Sequence, residues 1–84
     1  LITEKMILEI ISPEAVLFKG EVISVTVPGT NGEFQMLNNH APIISSLVNG
    51  TVKVKTASGN EQFEVKGGVV EMLDNKITLL AESV

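Results

Sequence analysis

Apolar and polar residues alternate along much of this chain. Ile23, Val25 and Val27 alternate with Ser24 and Thr26, Val52 and Val54 with Lys53 and Lys55, and Phe63 and Val65 with Glu64 and Lys66. A period of two sends successive side chains to opposite faces of a strand, so each segment predicts one buried and one solvated face. Turn-forming residues interrupt the pattern at short intervals: Pro28-Gly29, Asn31-Gly32, Asn49-Gly50, Ser58-Gly59-Asn60, Gly67-Gly68 and Asp74-Asn75. Strands are therefore expected over 6–11, 15–19, 22–27, 33–37, 43–47, 51–56, 61–66, 69–73 and 76–81. The clearest hairpin runs from Gly50 to Lys66 around Ser58-Gly59-Asn60, with Lys53, Lys55, Glu64 and Lys66 on its polar face. No stretch carries the apolar stripe of a long amphipathic helix.

Composition agrees with an all-β fold. The 84 residues include 11 Val, 8 Ile and 6 Thr, whose branched side chains fit a pleated surface better than a helix. Many short, mostly antiparallel strands joined by tight turns imply a sandwich or barrel. A chain of this length buries only about 60% of its unfolded surface, so one core and one domain over residues 1–84 are expected. Residues 1–5, ahead of Met6, are the candidate loose tail.

Charge and missing residue types exclude several functions. Six lysines stand against ten acidic residues, for a net charge of −4, and there is no arginine, tryptophan or tyrosine. The guanidinium forks and stacking platforms of nucleic-acid binders are absent, so no nucleic-acid partner is expected. Without cysteine there is neither a disulfide framework nor a thiolate metal site. No apolar run reaches the roughly 18 residues of a membrane span, and the chain itself is expected to be soluble.

Candidate chemistry is sparse. The glycine-rich segment Pro28-Gly29-Thr30-Asn31-Gly32-Glu33 lacks the Gly-Lys-Ser/Thr ending of a phosphate-binding loop, so no nucleotide is expected; it reads as a turn offering a carboxylate and an amide to a partner. His40 is the only histidine, which removes multi-histidine metal sites and leaves no catalytic triad. Within Asn38-Asn39-His40-Ala41-Pro42 it is expected to hydrogen-bond loop backbone, with a partner contact as the second reading. Glu71, in Val69-Val70-Glu71-Met72-Leu73, fits either a solvated face or a contact. The apolar content, including Ile43, Ile44, Leu47 and Val48 in one segment, exceeds what so small an interior takes up and points to a partner surface.

The order of several blocks resembles the amino-terminal β-domain of the epsilon subunit of F-type ATP synthases, called delta in mitochondria. These blocks are Leu8-Glu9-Ile10-Ile11-Ser12-Pro13-Glu14, Leu17-Phe18-Lys19-Gly20-Glu21-Val22, and Val25-Thr26-Val27-Pro28-Gly29-Thr30-Asn31-Gly32-Glu33-Phe34. They continue with Leu37-Asn38-Asn39-His40-Ala41-Pro42, Gly67-Gly68-Val69-Val70-Glu71-Met72-Leu73 and Asn75-Lys76-Ile77-Thr78-Leu79-Leu80-Ala81-Glu82. Each block alone is weak; the ordered set is specific and covers nearly the whole chain.

The resemblance implies a flattened sandwich of about ten strands. It further implies a non-catalytic rotor subunit without cofactor, clasping the gamma subunit and resting on the polar loops of the c-ring. Such a subunit lies peripherally on the cytoplasmic face of the bacterial plasma membrane and couples proton translocation to ATP synthesis. Carried over by position, Gly29, Thr30, Asn31, Gly32 and Glu33 would face the c-ring. Ser12, His40, Ile43, Ile44, Ser45, Lys66 and Glu71 would face gamma. Most bacterial and chloroplast members continue into a carboxy-terminal helical hairpin; this chain stops at Val84, so the hairpin's inhibitory and ATP-binding roles are not expected. A naturally short member is the favoured explanation, a truncated one the other. The competing reading is a free-standing β-sandwich module binding a sugar or peptide through the loops 28–33 and 38–42, against which the missing tryptophan and tyrosine count.

Overall fold

The structure, a computed structural model, describes residues 5–83, which form nine strands and connecting turns without a helix. In chain order these are β1 (Met6–Ile11), β2 (Val16–Val22), β3 (Ser24–Gly29), β4 (Gly32–Leu37), β5 (Ile43–Leu47), β6 (Gly50–Thr56), β7 (Gly59–Val65), β8 (Gly68–Leu73) and β9 (Lys76–Ala81). The expected loose tail falls on residues 1–4, outside the described residues, and on Lys5, whose ammonium pairs with Glu21 at 3.2 Å.

All nine strands belong to one hydrogen-bonded sheet, ordered β2-β1-β9-β8-β5-β3-β6-β7, with β4 paired to β3 outside that path. Every pairing is antiparallel except β1 with β9, which sets the first and last strands side by side. The sheet curls on itself. One layer is β2-β1-β9-β8-β5 and the other is β4-β3-β6-β7; β5 and β3 share the single rung Leu47↔Gly29 where the layers join. Extents of 39 × 25 × 19 Å match two packed sheets, whose backbones stack about 10 Å apart.

The core lies between the layers. Leu8, Ile10, Val70, Met72, Ile77 and Leu79 on one side meet Val25, Val27, Met36, Val52, Val54 and Val65 on the other, all fully buried. Strict alternation produces this in β1, β6 and β8, where every second residue is inward. The open side is closed by Phe18 of β2 against Phe63 of β7, ring centroids 5.9 Å apart in an edge-to-face contact.

Two local expectations change. The strand expected to end at Lys19 runs on through Gly20 and Glu21 to Val22, because Gly20 pairs with Leu8 and the ladder with β1 overrides glycine's weak strand preference. The break falls at Ile23, where the chain leaves one layer for the other. Ile23 is thereby exposed and Ser24 buried, the reverse of the period-two reading, while Val25 and Val27 stay inward.

Candidate partner interface

The outer face of β2-β1-β9-β8-β5 follows from the registers. Residues opposite one another on neighbouring strands share a face, so Ser46, Val69, Leu80, Ile11 and Val16 form one row across five strands. The next row is Ile44, Glu71, Thr78, Glu9 and Lys19. The third holds Leu73, Lys76, Ile7 and Glu21. Val16, Ile44, Val69, Leu73 and Leu80 are all exposed here, and Ile44 reaches 70%. A sheet face facing only water would carry polar residues at such positions. Between β5 and β8 an open cleft of about 260 Å³ is lined by Pro42, Ile43, Ile44, Glu71, Met72 and Leu73.

The residues expected to face gamma divide around this surface. Ile44 and Glu71 are cross-strand partners on the outer face. Ile43 and Ser45 alternate to the other side, opposite Met72 and Val70; Ile43 packs on the core and also contributes to the cleft lining. Ser12 is buried, and its hydroxyl donates to the Ala15 carbonyl at 3.2 Å, so its side chain serves its own turn. Ser45 Oγ donates to the Ser46 carbonyl at 3.1 Å.

His40 and Lys66 lie at opposite ends of the β5–β8 ladder. The five rungs of the ladder span four residue steps, on the order of 13 Å of strand. His40 is exposed and its Nδ1 donates to the Ala41 carbonyl at 2.7 Å, as expected of a loop histidine. Lys66 leaves its side chain in solvent while its backbone N–H donates to the Ser83 carbonyl at 2.9 Å.

The Gly29–Glu33 segment also takes a definite form. Gly29 pairs with Gly32, so only Thr30 and Asn31 form the tip, and the positive φ belongs to Gly32. The tip is held to the other layer: Thr30 N–H donates to the Ser46 carbonyl at 3.2 Å, and Val48 N–H to the Pro28 carbonyl at 2.9 Å. Glu33 was expected as a tip carboxylate; it is instead the second rung of the hairpin, opposite Pro28, and its Oε2 lies 3.5 Å from Lys53 Nζ. Because Gly29, Leu47 and Gly68 are consecutive partners, this turn sits at the same end as the Val69-Leu80-Ile11-Val16 row. His40 is at the far end.

The profile described as ATP synthase, Delta/Epsilon chain, beta-sandwich domain matches residues 5–84. The chain belongs to this family. An ATP synthase epsilon chain of Chlorobaculum tepidum is 41% identical over 78 residues, covering 92% of this chain and 89% of the relative. One of Leptospira interrogans is also 41% identical, but there the chain spans only 61% of the relative's length. Among solved structures, a chain of the Euglena gracilis mitochondrial ATP synthase, OSCP/F1/c-ring assembly superposes with a TM-score of 0.88 at 22% identity, over 100% of this chain and 55% of that one. A chain of the Tetrahymena thermophila central stalk and c-ring gives 0.82 at 16% identity, over 95% and 65%. At these identities the two likenesses are of fold, over nearly the whole of this chain.

Some features of this delta/epsilon domain were not anticipated. Asn75 is buried in the β8–β9 turn; its Oδ1 accepts from Asn39 N–H at 2.7 Å and its Nδ2 donates to Asn38 Oδ1 at 2.7 Å. It thus fixes the His40 loop to the sheet. Leu80 could have been found, since alternation through Lys76, Thr78 and Leu80 places it outward. Among the described residues no group of three or more metal-ligating side chains exists, and no helix is long and apolar enough to cross a membrane.

Proposed function

We propose that this chain is a non-catalytic central-stalk subunit of an F-type ATP synthase. The outer face of β2-β1-β9-β8-β5 seats the gamma subunit, and the Thr30-Asn31 turn, with Glu33 beside it, meets the polar loops of the c-ring. The observation that carries the reading is the row of exposed apolar side chains on a single outer sheet face of a delta/epsilon domain. Epsilon-chain relatives and the stalk and c-ring assemblies that contain its structural neighbours support it.

Mechanically, such a subunit transmits torque from ion translocation to gamma without slipping. Slippage is resisted by an apolar centre that binds and by charges that fix register. A curled sheet with a buried apolar core deforms little under load, because close-packed interiors are only slightly compressible. The placement that follows is peripheral, on the cytoplasmic side of the bacterial plasma membrane.

A pull-down with purified gamma from the same source, then with c-ring in detergent, tests the reading. A stoichiometric complex with gamma that also retains c-ring is expected. A folded chain that binds neither points to the free-standing ligand-binding module.

A further inference from the structure

The docking face carries a charge with no ion-pair partner among the described residues. Glu71 stands in the middle row, flanked along its own strand by Val69 and Leu73 and across from Ile44. On its other side is Thr78, and beyond Thr78 is Glu9. The two carboxylates are thus two strand spacings apart, about 10 Å. Among the described residues the ion pairs are Lys5–Glu21 and Lys53–Glu33, so neither Glu71 nor Glu9 has one. Lys19 stands opposite Glu9 and Lys76 is two rungs from Thr78, yet neither ammonium comes within ion-pair distance of these carboxylates.

In water an isolated carboxylate is well solvated. Covered by a partner, it loses that solvation, and a buried charge without a counter-ion is strongly unfavourable. Val69 and Leu80 lie on one side of Glu71 and Leu73 on the other, so any partner covering Val69, Leu80, Ile44 and Leu73 also covers Glu71. The remedy is a cation on the partner.

We propose that the gamma segment docking on this face carries a basic side chain that seats over Thr78, between Glu71 and Glu9, with apolar residues on either side of it. Glu71 is the principal acceptor, because Glu9 has Lys19 as its cross-strand neighbour. The exposed apolar side chains supply affinity and the cation sets register, so that a neutral or acidic residue in its place is rejected. This inference rests on the reading of the face as the gamma-docking surface.

The test is titration of the folded chain with purified gamma at two salt concentrations. It uses wild type, Glu71→Gln, Glu9→Gln, Leu80→Ser and, on the other layer, Glu64→Gln, each checked for an unchanged melting curve. Glu71→Gln is expected to raise Kd by about tenfold or more and to flatten the salt dependence. Leu80→Ser should weaken binding with the wild-type salt dependence retained, and Glu64→Gln should bind as wild type. If Glu71→Gln binds normally while Leu80→Ser does not, the docking face stands and the cation is refuted. If neither variant differs from wild type, the face itself is wrong. A wild-type chain that does not bind gamma overturns the functional reading first.

Discussion

Phe18 and Phe63 lie in β2 and β7, at opposite ends of the sheet order, yet their rings meet edge to face at 69° with centroids 5.9 Å apart. The contact closes a curled sheet whose end strands otherwise share no hydrogen-bonded ladder. Both rings are only half-buried against the core. Phe63→Ala should therefore cost about 2–3 kcal/mol, at or below the low end for buried phenylalanines. A double-mutant cycle with Phe18→Ala should give a coupling of about 0.5–1.5 kcal/mol by urea unfolding. Strictly additive losses would show that the rings contribute by burial alone.

Asn75 joins its own turn, the Asn38-Asn39 loop and, through its carbonyl, β1, where Ile7 N–H donates to it at 2.9 Å. It sits at φ 60°, after Asp74 at φ 51°, in a two-residue turn, and its amide holds Asn38 and Asn39. Asn75→Gly keeps the left-handed backbone and loses the side-chain bonds; Asn75→Ala loses both. Asn75→Ala should therefore be the less stable, by about 1 kcal/mol relative to Asn75→Gly. Faster amide exchange at Asn39 is expected in both variants, since its N–H loses its acceptor. Unchanged exchange there would contradict the link.

Gly32 and Gly68 share a left-handed backbone but not a neighbourhood. Gly32, at φ 118°, has open space where a Cβ would go; at Gly68, at φ 143°, a Cβ would overlap the Leu80 carbonyl oxygen. Gly32→Ala should cost about 1–3 kcal/mol of backbone strain. Gly68→Ala should cost clearly more, because the β8–β9 ladder must open at its first rung. Equal losses in thermal unfolding would mean that strain alone acts at both sites.

Glu33 and Lys53 form an exposed ion pair, which contributes little to stability. Glu33→Lys should leave the melting temperature nearly unchanged, within about 0.5 kcal/mol, and weaken retention of the c-ring. The exchanged pair, Glu33→Lys with Lys53→Glu, restores the internal contact but not the carboxylate next to the turn. Its c-ring retention should stay low. Full recovery in the exchanged pair would assign Glu33 to the fold and not to the ring.

The positions of the strands were legible because alternation and turn residues are local signals. Val52, Val54, Val70 and Met72 went inward as their spacing required. The break between β2 and β3 was misplaced, because Gly20 reads as a breaker but is held by a ladder partner distant in sequence. Val16 was missed as a face residue: the irregular rung at Ile10/Ile11, which pairs Ile11 with Val16, has no sequence signature. Glu71 and Ile44 were both singled out, but their direct pairing is tertiary. Ile43 was grouped with Ile44, although adjacent residues of one strand point apart.

On the proposed reading, gamma covers the outer face of β2-β1-β9-β8-β5. Photo-crosslinkers placed on single cysteines at Ile44 and at Lys55, on opposite outer faces of the sandwich, test it in the assembled complex. A gamma adduct is expected from Ile44→Cys and none from Lys55→Cys. Adducts from Lys55→Cys alone, with both variants folded and assembled, would contradict it.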